Sequence, residues 1–97
     1  MSTIDRLLID AAAKALAEDL PTFKQNVSAT FNLYEEVDSF SLVNVLLETE
    51  SDVEKATGKY IPLANEKIFD ASQSPFLKWT DWVSYVGDTV KGAGMQI

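Results

Sequence analysis

The sequence predicts an all-α fold, a small four-helix bundle of three longer helices and one short one, with a long first loop. Three observations carry that expectation. Apolar residues recur at steps of three and four along three separate stretches, the period of a helix with one buried face. No alternating stretch is long enough for a strand of more than three or four residues. At 97 residues, with 46% hydrophobic and 24% charged, the chain suits one core and no second domain. A single domain over residues 1–97 is expected, with its core between about 3 and 90.

The first helix is expected from residue 4 to about 19. Ile4, Leu7, Leu8, Ala11, Ala15 and Leu16 form its apolar stripe, Ser2 or Thr3 supplies an N-cap, and Pro21 ends it just after Leu20. Residues 20–38, LPTFKQNVSATFNLYEEVD, keep no period. A connection that long inside a compact domain either packs its own apolar groups or has a function, and Phe23, Val27, Phe31 and Leu33 are its candidate anchors. The second helix, 39 to about 57, is the longest, about 28 Å. Leu42, Leu46, Thr49, Val53 and Ala56 line one stripe; Asp38 or Ser39 caps the start, and Lys55 and Gly58 mark the end. Pro62 suits the first turn of a short third helix, 62 to about 69, with Leu63, Ile68 and Phe69 inward. Residues 70–75 read as a loop in which Pro75 keeps Ser74 extended. Trp79, Trp82, Val83, Val86 and Val90 set the period of a fourth helix, 77 to about 90, in which Gly87 costs about 1 kcal/mol. Residues 92–97 are expected to fray.

Composition narrows the chemistry. The chain has neither cysteine nor histidine, which excludes disulfides, thiolate nucleophiles, most zinc sites and imidazole acid–base catalysis. A disulfide-free chain fits a reducing cytoplasm, and a cytoplasmic location is expected. The longest mostly apolar run, residues 40–47, is broken by Ser41 and Asn44 and falls far short of the ~20 residues that span a bilayer. The start has no basic leader, and Asp5, Asp10 and Lys14 interrupt any apolar signal core, so no secretion signal is expected. Gly92-Ala93-Gly94 stands too near the end to open a phosphate-binding helix. Glu35, Glu36 and Asp38 do not resemble a calcium loop, and an exposed acidic turn, with no metal, is the expectation.

The net charge of −7 sits in one place. Between Glu35 and Glu54 lie seven acids and no base, while the rest of the chain holds eight acids against eight bases. Glu48 and Asp52, and Glu50 and Glu54, are like-charge pairs four apart, which repel on a helix. Such a window is either a solvated helix face or a surface that meets basic partners. Nucleic acid and anionic membranes are disfavoured as partners, since their phosphates are repelled.

The most informative segment is Asp38-Ser39-Phe40-Ser41-Leu42-Val43. Read locally, Asp-Ser before a helix is an ordinary N-cap. The same position also suits a phosphate ester on Ser39, because unpaired N–H groups and the helix dipole favour an anion there. A flexible arm attached at Ser39 could fold back over Phe40 and Val43.

These residues resemble the Asp-Ser-Leu motif of acyl carrier proteins, in which the serine carries 4′-phosphopantetheine. The resemblance extends over roughly residues 3–90: an amphipathic first helix, a long loop, Asp38-Ser39 at the head of an acidic helix, Ile61-Pro62 and the last-helix pattern Trp82-Val83-Ser84-Tyr85-Val86 come in the family's order. It implies a four-helix carrier and not an enzyme. A phosphopantetheinyl transferase would attach the arm from coenzyme A to Ser39, with Asp38 positioning at the transferase. The arm's thiol would hold an acyl or aminoacyl group as a thioester for fatty-acid, lipid or secondary-metabolite biosynthesis. Phe40, Val43, Glu48, Glu50, Asp52 and Glu54 would meet a loading ligase and downstream synthases or transferases through basic patches on those enzymes. A monomer is expected. Three departures, Phe40 in place of leucine, an extra helical turn before Ile61-Pro62, and a longer loop at 70–74, suggest a specialised, freestanding carrier. The competing reading is an unmodified acidic helical adaptor for basic proteins, in which Ser39 only caps the helix.

Overall fold

Three long helices, two single helical turns and one 3-10 turn make up the computed structural model, which describes residues 2–97. In chain order these are α1 (Thr3–Ala15), α2 (Phe23–Asn26), α3 (Leu33–Glu36), α4 (Ser39–Thr57), the 3-10 turn Pro75–Leu77 and α5 (Trp79–Gly92). Among the described residues there is no strand. The expected all-helical bundle is the observed architecture, measuring 32 × 26 × 22 Å.

The principal packing contact is α1 on α4. Ser2 caps α1 by accepting the Asp5 N–H at 3.1 Å, and Leu8, Ala11, Ala12 and Leu16 are buried, small residues letting the helices approach closely. From α4 the core receives Leu42, Val45, Leu46 and Val53, and from α5 Trp82, Val86 and Val90. Each such fully buried Leu or Val side chain contributes about 1.5–3 kcal/mol of hydrophobic free energy. Gly58 closes α4 at φ +76°, a left-handed conformation in which a side chain would be strained.

The long first connection packs its own apolar groups. Phe23 and Leu33 are fully buried, and Val27 and Phe31 are half-buried. Phe23 meets the edges of Phe31 and Trp79 at centroid distances of 5.7 and 5.4 Å, and the Thr80 N–H donates to the Ala29 carbonyl, tying the connection to α5.

Several expected boundaries are corrected. α1 ends at Ala15 instead of near 19, and residues 16–19 turn so that Asp19 reaches Ser41. No helix forms over 62–69. The Leu63 N–H donates to the Glu50 carboxylate at 2.6 Å, the Leu63 carbonyl accepts the Tyr85 hydroxyl, and Asn65 Oδ1 takes the Lys67 N–H at 2.8 Å. The Leu63 carbonyl and the Lys67 N–H, which a helix would pair with each other, are thus taken by side chains, and single turns follow instead. Leu63 and Ile68 are buried as expected, but Phe69 is exposed, its carbonyl accepting the Tyr34 hydroxyl at 2.8 Å. Ala56 is exposed too. Ser74 is extended before Pro75, as expected, and its hydroxyl accepts the Phe76 N–H, opening a 3-10 turn that delays α5 to Trp79. The tail also departs from expectation: the Met95 N–H donates to the Val90 carbonyl, and Met95 and Ile97 pack on the core.

Candidate functional site

The head of α4 is a corner. α3 ends at Glu36, Val37 and Asp38 are extended, and α4 begins at Ser39. Asp38 is the N-cap: its Oδ1 accepts the Ser41 N–H at 2.9 Å. The Ser41 N–H, the largest cause, holds the Asp38 carboxyl below its ordinary range. Of the two candidate caps, then, the aspartate takes the role. The N–H groups expected to attract an anion are partly answered by this carboxylate already.

Ser39 is exposed, and its hydroxyl makes no hydrogen bond among the described residues. Beside it Phe40 is 82% exposed, Val43 37% and Leu47 56%. Their spacing of three and four puts them on one stripe of α4, distinct from the buried stripe of Leu42, Val45, Leu46, Thr49 and Val53. This helix is therefore apolar on two faces, one in the core and one open to solvent. Glu35, Glu36 and Asp38 are exposed next to the open face.

The four acids expected to dock partners do not act together. Glu54 is exposed. Glu48 and Asp52 turn toward α1 and bracket the Lys14 ammonium at 3.2 and 2.9 Å, which raises the lysine pKa, Asp52 being the stronger cause. Their mutual repulsion has a local answer in Lys14. Glu50 is 5% exposed and corrects the expectation most clearly: its carboxylate faces inward, accepting from the Leu63 N–H and the Tyr60 hydroxyl, and it raises the Tyr60 pKa. A buried, bonded carboxylate cannot offer itself to a docking partner. The sequence held a signal for this, because Glu50 follows Leu46 by four and precedes Val53 by three, on the inward side. Ser41 carried the same signal, in step with Val45, Thr49 and Val53, and it is 3% exposed.

A groove of about 390 Å³ lies between α1 and α5, lined by Asp5, Ile9, Val27, Trp79 and Val83, and takes none of its lining from α4. Among the described residues no three acidic side chains are placed to hold a metal ion, and no helix is long and apolar enough to cross a membrane.

The fold and site thus define a small helical bundle with one unpartnered serine at the tip of its longest helix. Compared with known proteins, the chain matches no family model, no curated protein and no solved structure. The functional reading rests on the residues themselves.

Proposed function

We propose that this protein is a carrier modified on Ser39 with 4′-phosphopantetheine, holding an acyl or aminoacyl group as a thioester for partner enzymes in fatty-acid, lipid or secondary-metabolite biosynthesis. The observation that carries the reading is the Ser39 hydroxyl, exposed at the first residue of a 19-residue helix whose cap is supplied by Asp38. With the capping role filled, the serine has no structural task, and its oxygen is reachable by a modifying enzyme. The surroundings fit the group: nothing buries the attachment oxygen, and Phe40, Val43 and Leu47 offer an apolar rail along which an arm can lie.

Attachment forms a bond from Ser39 Oγ to phosphorus as the diphosphate bond of coenzyme A breaks. Adenosine 3′,5′-bisphosphate leaves, and the hydroxyl proton passes to a base of the transferase. The arm supplies a thiol, the nucleophile that a chain without cysteine lacks. Asp38 holds the start of α4. Phe40 and Val43 meet the partner enzymes, with Glu35, Glu36 and Glu54 as the exposed acids for basic patches. The protein itself catalyses nothing in this reading and works as a cytoplasmic monomer.

Intact mass after incubation with coenzyme A and a broad-specificity phosphopantetheinyl transferase tests the reading. One phosphopantetheine on the wild type and none on Ser39→Ala is the expected result. Failure with that enzyme and again with the host's own transferase refutes it. The second reading, an unmodified adaptor that docks basic proteins, is favoured by the open Phe40–Val43–Leu47 stripe, which exists whether or not Ser39 is modified. Its account of Ser39 as the cap is displaced by Asp38.

A further inference from the structure

Ser41 is the polar residue of the buried α4 stripe nearest Ser39. A hydroxyl there is costly to bury unless it is bonded, and Ser41 is bonded through both of its donors. The backbone N–H donates to Asp38 Oδ1 at 2.9 Å, and the hydroxyl donates to Asp19 Oδ2. Asp19 lies 22 residues earlier in the chain, in the turn that leaves α1. The two bonds therefore join the end of the first connection's entry turn to the cap of the helix that carries Ser39. The leading N–H groups of a helix have no partners within it, so its first turn frays unless it is held from outside. Here two carboxylates do the holding, and they meet at one serine.

We propose that Asp19 and Ser41 are positioning residues for the modification of Ser39: the chain of bonds from Asp19 through Ser41 to Asp38 fixes the first turn of α4 and with it the direction of the Ser39 hydroxyl. The inference rests on the carrier reading and adds the pair that orients the nucleophile. Attack at phosphorus needs the oxygen in line with the departing group, and loose positioning of a reacting atom lowers the rate steeply. Neither residue touches coenzyme A; each acts through the backbone of α4. Asp19 is exposed, so truncating it spares the core.

The test uses the full chain, coenzyme A and the transferase, with initial rates read by intact mass for the wild type, Asp19→Ala, Ser41→Ala, their double variant and Asp19→Asn. We expect each single alanine variant to lower kcat about tenfold with little change in KM for the carrier. The double variant should be no worse than either single one, because both break the same link. Asp19→Asn keeps a carbonyl acceptor and should recover most of the loss. Hydrogen exchange on the unmodified proteins supplies a second readout: the Ser41 and Leu42 amides, which donate to Asp38, should exchange about tenfold faster in Asp19→Ala. A raised KM with kcat intact overturns the proposal by making Asp19 a transferase contact, and unchanged exchange overturns the link itself. Wild-type protein that is never modified takes the carrier reading down and this inference with it. Wild type and Asp19→Ala modified equally fast overturn this inference alone.

Discussion

Replacing Glu50 by alanine tests whether one buried carboxylate holds the segment that spans α4 and α5. Its Oε2 accepts the Leu63 N–H at 2.6 Å and its Oε1 the Tyr60 hydroxyl at 3.3 Å. Leu63 is fully buried and lies outside any helix, so its N–H depends on this side chain. Truncation orphans that donor, at about 1–3 kcal/mol, and removes a charge-assisted bond roughly twice as strong as a neutral one. Releasing the carboxylate from burial offsets part of the loss, leaving a net destabilisation of about 2 kcal/mol. In a domain of this size each kcal/mol moves Tm by about 4–8 °C, so a fall of about 8–16 °C is expected. Glu50→Gln keeps an acceptor but not the charge and should lose about half as much. Thermal and urea unfolding followed by tryptophan fluorescence measures the change, and hydrogen exchange at Leu63 localises it. An alanine variant within about 0.5 kcal/mol of the wild type, with Leu63 still protected, refutes the reasoning.

Further outcomes follow from the geometry elsewhere in the fold. Ser39→Ala should change stability by less than about 0.5 kcal/mol, whereas Asp38→Ala should lower the urea midpoint clearly; equal effects would contradict the cap assignment. Because the Asp38 pKa is depressed in the fold, its stabilisation is present above the ordinary aspartate range and is lost as pH falls through the lower folded value, which an NMR titration of its carboxyl reads directly. Lys14→Gln should destabilise more at low salt than at high salt, since it frees Glu48 and Asp52 to repel. The raised Lys14 pKa means that this contribution is present below the ordinary lysine range and fades as pH rises through the higher folded value. Lastly, Trp82→Phe should destabilise less than Trp79→Phe. Among the described residues the buried Trp82 indole N–H finds no acceptor, while Trp79 donates to Asp5 at 3.0 Å; the reverse order in urea unfolding would refute this.

The head of α4 shows how much of the candidate site could be read in advance. Asp38-Ser39 marked the start of the longest helix, and the structure starts it there; Gly58 marked its end, and the structure ends it there. Phe40 and Val43, expected beside the attachment point, are open to solvent there. Position along the chain does not show which way an acid faces around the helix. Seven acids in one window suggested one face, yet Glu50 turns inward and Glu48 and Asp52 turn to Lys14. The lack of a helix over 62–69 has a related reason: Pro62 and the apolar residues after it suit a helix locally, but the Tyr85 hydroxyl takes the Leu63 carbonyl and Asn65 Oδ1 takes the Lys67 N–H that would pair with it.

What the sequence determined by itself is what short-range forces decide: the stripes of α1, α4 and α5, the capped start and glycine end of α4, and a serine at a helix tip. Those depend on neighbours within one or two helical turns. The tertiary structure alone decided which polar groups answer one another, because their partners are far apart in the chain: 13 residues from Glu50 to Leu63, 22 from Asp19 to Ser41 and 38 from Lys14 to Asp52. A buried or paired polar group takes whatever partner the packed helices bring within reach of a hydrogen bond, and that proximity exists only once the chain has folded.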